Sequence, residues 1–143
     1  MVLTILRKSP DMTTATTTAP QTTMVAESKR AYQILHLGYT VAPILFGLDK
    51  FFNVMTDWVE FLSTFVTDAV NGSVVMGVVG VIEIAAGIGV WLRPKIFAPV
   101  VAAWLGLIII TLILAGGFWD IALRDFGLLL GAVALWRLAR AHA

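Results

Sequence analysis

An acidic residue in the middle of a long apolar run is the feature that most constrains this chain. Residues 73–92 form a stretch of twenty, and Glu83 is the only charged residue among them. About 20 apolar residues suffice for a helix to cross a bilayer, and a carboxylate at its centre costs roughly 2.5–3.5 kcal/mol on insertion scales. Such a residue faces other protein and has a polar partner. The sequence therefore predicts a membrane protein with a polar interior.

The composition of the whole chain points to the same class. Of its 143 residues, 59% are hydrophobic and only 13% are charged, whereas soluble domains are about 25% charged. Cysteine is absent, which excludes disulfides and iron–sulfur clusters. The two histidines, His36 and His142, are too few for a haem held by two histidines within the spans, and they give no support to a zinc site. A net charge of +1 without a basic patch argues against nucleic acid as a partner.

Four apolar runs follow a polar tail, and they predict an all-α membrane protein with a four-transmembrane-helix bundle at residues 29–143. Residues 1–28 are rich in threonine and have no apolar periodicity, so we expect a disordered cytoplasmic tail. Residues 54–70 are too few and too acidic to span, and their periodicity predicts an interfacial amphipathic helix between helices 1 and 2. The alternative for that segment is an ordered loop packed on the bundle. We expect the four spans at about residues 31–52, 73–92, 96–115 and 120–138.

Lysine and arginine are distributed asymmetrically around these spans. All basic residues that flank them fall on one side of a four-span arrangement, namely Lys29, Arg30, Arg93, Lys95, Arg137 and Arg140. Basic residues mark the cytoplasmic side of membrane proteins. We therefore expect a multi-pass protein of the cell (plasma) membrane, surrounded by lipid, with both termini in the cytoplasm.

Polar side chains recur on the faces that should meet other helices. In the first span, His36, Tyr39 and Lys50 lie on one helical stripe with Asp49 beside it. In the second span, Glu83 shares a face with two glycines, whose small size lets helices approach closely. We expect a buried polar cluster or ligand site made of seven residues, which are His36, Tyr39, Asp49, Lys50, Glu83, Arg124 and Asp125.

Opposite charges buried together avoid the cost of leaving one alone. We therefore expect Arg124 to pair with Asp49, and Lys50 to pair with Asp125 or Glu83. These pairs either fix the register of the helices or take part in ligand and proton chemistry, and the pattern leaves both interpretations open. The tryptophans at 58, 91, 104, 119 and 136 are interpreted as anchors at the membrane interface.

Three short motifs resemble those of one protein family. Gly47-Leu48-Asp49-Lys50-Phe51 resembles the Gly-x-x-Lys-Phe signature of DoxX-like membrane proteins. Residues 79–87, with Gly80 and Glu83, look like the Gly-x-x-Glu pattern of that family's second helix, and residues 124–129 look like the Arg-Asp-x-x-Leu of its fourth helix. The resemblance covers residues 31–138 and implies a four-helix integral membrane protein with a respiratory or redox role, because the family takes its name from a subunit of a thiosulfate:quinone oxidoreductase.

Three functions remain open at this point. In the first, which the resemblance implies, a quinone-like amphiphile binds among the helices, with Lys50, Glu83, Arg124 and Asp125 at its polar head and His36 or Glu83 taking protons. In the second, the chain is a non-catalytic accessory subunit whose segment 54–70 docks a membrane or extracytoplasmic protein. In the third, it is a small proton-coupled transporter that functions as a homo-oligomer. No catalytic residue is assigned by any of the three.

Overall fold

The computed structural model describes residues 18–62 and 64–143, and within these ranges it contains helices and turns but no β-strand. The prediction of an all-α fold is confirmed. Four long helices are joined by short connections, except for a strap, described at residues 53–62 and 64–71, that holds a 3₁₀ turn and one short helix. The elements are α1 (Thr18–Phe52), the 3₁₀ turn (Trp58–Phe61), α2 (Thr64–Ala69), α3 (Gly72–Leu92), α4 (Pro94–Ala115) and α5 (Trp119–His142).

Three of the long helices are sufficiently long and apolar to cross a membrane. They are α1 from Pro20 to Phe52, α3 and α4. The last long helix, α5, has the length to cross but carries five charged residues, so it does not belong to this group.

The long helices run alternately up and down. α1 packs most extensively against α3, and α4 against α5, while smaller contacts join α1 to α5 and α3 to α4. One end of the bundle, the basic end, collects the six flanking basic residues. The strap lies at the other end, where the ring of Phe61 packs on that of Phe118 with centroids 5.2 Å apart.

The contact between α1 and α3 is close because glycines line it. The buried residues of α3 include Gly80, Glu83 and Gly87, as the helical period predicts. A Cβ atom added to Gly80 would lie 2.6 Å from the carbonyl oxygen of Gly47, and one added to Gly87 would lie 2.7 Å from that of Thr40. Backbone therefore meets backbone at two levels of this helix pair, in the manner of small residues in membrane bundles.

The best-packed part of the bundle lies toward the basic end. A buried cluster joins α3, α4 and α5 there, and its members are Val90, Ala98, Val101, Ala132 and Leu135. The middle of the bundle, in contrast, is not filled by side chains, and the space left there is described below.

α1 begins earlier than the sequence predicts. Residues 18–28, which were expected to be disordered, form its first turns, whereas residues 1–17 of the expected tail lie outside the described residues. Pro20 falls in the first turn, where its missing N–H does no harm. The Arg30 guanidinium lies 2.7 Å from the Glu27 carboxylate, and the Ser28 hydroxyl lies 3.0 Å from Nε2 of His142. The first contact lies within α1, and the second attaches the extension to the end of α5.

The strap is not the single amphipathic helix that was expected for residues 54–70. α1 ends at Phe52, and Asn53 then adopts a positive φ of 48°. The next N–H groups donate to the Asp49 carboxylate and not to a helical carbonyl, and Asp57 caps the 3₁₀ turn by accepting from the N–H of Val59. Side-chain acceptors thus compete with the helical hydrogen bonds and break the segment into a 3₁₀ turn and the short α2.

Candidate functional site

An ion pair buried between α1 and α3 forms the centre of the candidate site. The Lys50 ammonium donates to Oε2 of Glu83 at 2.7 Å, and the two side chains are 5% and 11% exposed. The Lys50 ammonium also lies 3.8 Å from the centroid of the Trp58 ring, which covers it from the strap end. Of the two partners expected for Lys50, the structure selects Glu83.

The helix contact explains why these two side chains meet. Gly47 and Gly80 each lie three residues before a member of the pair, so they share its helical face. Gly80 is so close to α1 that an added Cβ would also come within 3.3 Å of Cβ of Lys50. The glycines bring the helix axes together, and the lysine and glutamate fill the space next to them.

Asp49 binds the strap, whereas its sequence neighbour Lys50 binds Glu83 on α3. Its Oδ1 accepts from the backbone N–H of Val54 at 3.0 Å and of Met55 at 3.1 Å, and its Oδ2 accepts from Nε1 of Trp58 at 2.7 Å. The expected pairing of Asp49 with Arg124 is therefore wrong. The donors of the strap satisfy Asp49 without a cation.

Arg124 and Asp125 pair with each other. Nε and Nη2 of Arg124 both lie 3.1 Å from Oδ1 of Asp125. Asp125 is buried and close enough to Glu83 for the two carboxylates to interact electrostatically. The Arg124 side chain is 62% exposed and points out of the bundle, so this residue does not belong to the buried cluster.

His36 and Tyr39 lie nearer the basic end than the ion pair. Nε2 of His36 donates to the carbonyl oxygen of Val90 at 2.9 Å, and its ring stacks between those of Tyr32 and Trp91. The Tyr39 hydroxyl donates to the carbonyl of Leu128 on α5. His36 is thus part of the helix packing, separate from the pair, whereas Tyr39 reaches the space described next.

A cavity of about 270 Å³ lies in the middle of the bundle, with all four long helices in its wall. Its lining is almost wholly apolar, and Glu83 stands at one side of it. The cavity reaches the bundle surface, because Gly38, Ala42 and Leu128 in its wall are exposed. The lining residues are Gly38, Tyr39, Ala42, Pro43, Phe46, Glu83, Ala86, Val101, Trp104, Leu105, Ile108 and Leu128.

Trp104 is a member of the site that the sequence interpretation missed. It lines the cavity, and its buried indole N–H makes no hydrogen bond to any described residue. The N–H lies near the Glu83 carboxylate but falls short of hydrogen-bond geometry. Its position carried a signal: Trp104 is ten residues after the start of α4 and eleven before its end, whereas interfacial tryptophans lie near the ends of spans. Trp58 was likewise taken for an anchor and instead covers Lys50.

Within the described ranges, no group of three or more His, Cys, Asp or Glu side chains is placed to hold a metal ion. Comparison of the chain with protein-family models, with curated proteins and with solved structures finds no match. The resemblance to DoxX-like proteins therefore stays a prediction, and the function has to be argued from the geometry of the cavity and the ion pair.

Proposed function

We propose that this chain is a DoxX-like membrane protein of four spans that binds a quinone-like amphiphile in the central cavity and has a redox-associated or respiratory role. The observation that carries the proposal is the cavity itself, an apolar space with a buried Lys50–Glu83 pair at its side. Ligand sites in helix bundles have this character, with mostly apolar walls and a few convergent polar groups.

The charges around the cavity favour a neutral ligand. Glu83 neutralises Lys50 at 2.7 Å, and Asp125 is held by Arg124. An anionic head group would meet two carboxylates, while a cation would compete with Lys50 for Glu83. A volume of about 270 Å³ is close to the lower end of the range of about 300–1,000 Å³ for ligand pockets. It suits the ring of a quinone and the first part of its hydrocarbon tail. The rest of the tail would pass between the helices into the lipid.

In this arrangement, α5 is the fourth span. Its 24 residues make a helix of about 36 Å, and it packs along both α1 and α4. Asp120, Arg137 and Arg140 lie near its ends, where charged groups reach water. Only Arg124 and Asp125 lie deeper, and they are paired with each other. Because basic residues mark the cytoplasmic side of membrane proteins, we propose that the basic end lies in the cytoplasm of a plasma-membrane protein.

The orientation can be tested directly because the chain has no cysteine of its own. Single cysteines at Asn71 and Ala141 lie at opposite ends of the proposed bundle. On intact cells, an impermeant thiol reagent is expected to label Asn71→Cys and to spare Ala141→Cys. The reverse pattern would refute the orientation, and labelling of both would refute the even number of spans.

Ligand binding can be tested with two neighbouring alanines on α3. Ala86 lines the cavity, whereas Ala85 is exposed on another face of the helix. Ala86→Leu should fill part of the cavity and weaken binding of a decyl-substituted benzoquinone by tenfold or more, because a filled cavity has no room for the ring. Ala85→Leu adds the same atoms outside the cavity and should bind as the unaltered protein does. Binding that is equal in both variants, or absent from the unaltered protein, would contradict the proposal.

An accessory role in a complex is the second candidate, and the surface of the strap favours it. Val54 and Met55 are exposed next to the acidic Asp57 and Glu60. A membrane or extracytoplasmic partner could dock on this surface. Purification in mild detergent separates the two candidates: a bound lipid-soluble quinone supports the first, and a stoichiometric partner protein that is lost on changing Val54 and Met55 to serine supports the second.

A further inference from the structure

Two polar groups beside the cavity are left without hydrogen bonds. Lys50 binds Oε2 of Glu83, and Oε1 has no hydrogen-bond partner among the described residues. Oε1 is not among the fully buried atoms that lack a partner, so it keeps some exposure, and Glu83 lines the cavity. The indole N–H of Trp104, in contrast, is fully buried and unpartnered next to the same carboxylate.

These groups form an acceptor and a donor in adjacent positions. Buried polar groups in folded proteins nearly always have partners, so an orphaned N–H calls for an explanation. The two groups lie close together, but the N–H does not reach the geometry of a hydrogen bond to the carboxylate. A ligand atom that both donates and accepts would satisfy both, once the indole tilts toward the cavity.

We propose that the cavity selects ligands bearing a neutral hydroxyl group on an apolar ring, such as a phenol or a hydroquinone. This inference rests on the proposed function and narrows its ligand class. The hydroxyl hydrogen is donated to Oε1 of Glu83, and the hydroxyl oxygen accepts from the N–H of Trp104. A carbonyl or ether oxygen can only accept, so it places its lone pairs against the carboxylate and leaves Oε1 without a donor.

The expected selectivity is large because the hydroxyl donates to an ionised acceptor. Hydrogen bonds of this kind are roughly twice as strong as those between neutral groups. A site built to hydrogen-bond a hydroxyl rejects the analogue that lacks it, since its buried polar group is then left unpaired. We expect a preference of about tenfold or more for a hydroxyl over a methoxy group on the same ring.

A matched pair of probes isolates this hydrogen bond. 4-Butylphenol and 4-butylanisole have the same ring and chain, and they differ in the O–H that only the phenol can donate. Calorimetric titration of the full chain in nanodiscs, with empty nanodiscs as the blank for partitioning, should show the phenol binding about tenfold tighter. Equal affinities would overturn the hydroxyl inference alone. Failure of both probes to bind would overturn the proposed function as well.

Two variants assign the contacts to their residues. Glu83→Gln can keep an oxygen for Lys50 while turning an amide N–H₂ toward the cavity, so the preference for the phenol should fall to within about twofold or reverse. Trp104→Phe removes the N–H and should weaken both probes by a similar factor, because both accept through oxygen. Trp91→Phe removes an exposed indole outside the cavity and is the control. A preference unaltered in Glu83→Gln, or equal losses in the two tryptophan variants, would contradict the assignment.

Discussion

Asp49 and Glu83 are two buried carboxylates on adjacent helices, and they are satisfied in opposite ways. Asp49 accepts three hydrogen bonds from N–H groups of the strap and has no cation within ion-pair distance among the described residues. Glu83 has one strong partner, the Lys50 ammonium, and it lines the cavity with a second oxygen that makes no hydrogen bond to any described residue. The Asp49 carboxylate holds the strap at one end of the bundle. The Glu83 carboxylate keeps one oxygen that could accept a hydrogen bond from a ligand.

The difference shows that a buried charge alone does not indicate a ligand site. The number of its hydrogen bonds that the protein already satisfies has to be counted as well. Both acids are charged groups buried away from water. Trp58 contacts both surroundings, because it donates to Asp49 and covers the Lys50 ammonium that binds Glu83. The full set of donors around Asp49 marks it as structural. The incomplete set around Glu83, together with the N–H of Trp104 that makes no hydrogen bond, is the reason we propose that the ligand binds on this side of the cluster.

The largest effect should come from removing the cation beside Glu83. Lys50→Met leaves the carboxylate buried without its partner, and breaking a buried pair in this way costs about 3–5 kcal/mol of stability. Thermal unfolding in detergent, followed by circular dichroism, measures the loss. The double variant Lys50→Met/Glu83→Leu should recover most of it, since no charge is then left unpaired. A double variant as unstable as the single one would show that Glu83 does not depend on Lys50.

A smaller effect is expected where the helix contact that positions the pair is disturbed. Gly80→Ala places a Cβ atom 2.6 Å from the Gly47 carbonyl, and the backbone must move to relieve the clash. We expect a loss of about 1–3 kcal/mol, as for other overpacked sites, together with weaker ligand binding. Gly127→Ala is the control, because an added Cβ there meets nothing within 4 Å. Equal melting temperatures for the two variants would show that the close approach contributes little.

Asp49→Asn should act locally and thereby sharpen the comparison with Glu83. The amide keeps one acceptor oxygen, so the Trp58 indole or the two backbone N–H groups lose their partner. Hydrogen exchange at Val54 and Met55 should become faster by about tenfold as the strap opens. Ligand binding should change less than in Glu83→Gln. If Asp49→Asn abolishes binding while the strap stays protected, the division between the two carboxylates is wrong.

The smallest effect is expected at Arg124. Its side chain is mostly exposed and pairs with its buried neighbour Asp125, and the amide N–H₂ of a glutamine at this position can still donate to that carboxylate, so no buried charge is left without a donor. Arg124→Gln should melt within a few degrees of the unaltered protein and bind the ligand normally. A collapse of binding would place Arg124 at the ligand's head group after all, which is the role that the sequence resemblance implies.

Much of the architecture could be predicted from the sequence because apolar runs and small residues act locally. The ends of α3 and α4 lie within two residues of the expected bounds, and the face shared by Gly80, Glu83 and Gly87 is buried as the helical period predicts. The partner of Lys50 was also among the expected pairs. These features follow from spacing along one helix or from simple charge neutralisation.

The wrong predictions concern interactions between separate elements of the structure, which the spacing of residues along one helix does not reveal. The strap segment has an amphipathic period, but the acceptor that reorganises it, Asp49, belongs to the preceding helix. The predicted pairing of Arg124 with Asp49 assumed that every buried acid needs a cation. N–H groups of the strap donate to the Asp49 carboxylate in place of a cation. The role of Trp104 depends on how four helices surround one cavity. A sequence shows which residues share a helical face, but it does not show the space between helices.

The single-residue link between α3 and α4 has a consequence for biogenesis. α3 ends at Leu92 and α4 begins at Pro94, so only Arg93 separates them. In the proposed membrane arrangement, α1 and α3 emerge from the ribosome first and can associate through their glycine backbones as one hairpin, and α4 and α5 follow as a second. Because the link allows no slack, the second hairpin has to enter beside the first, and the cavity between them forms only in the last step of assembly.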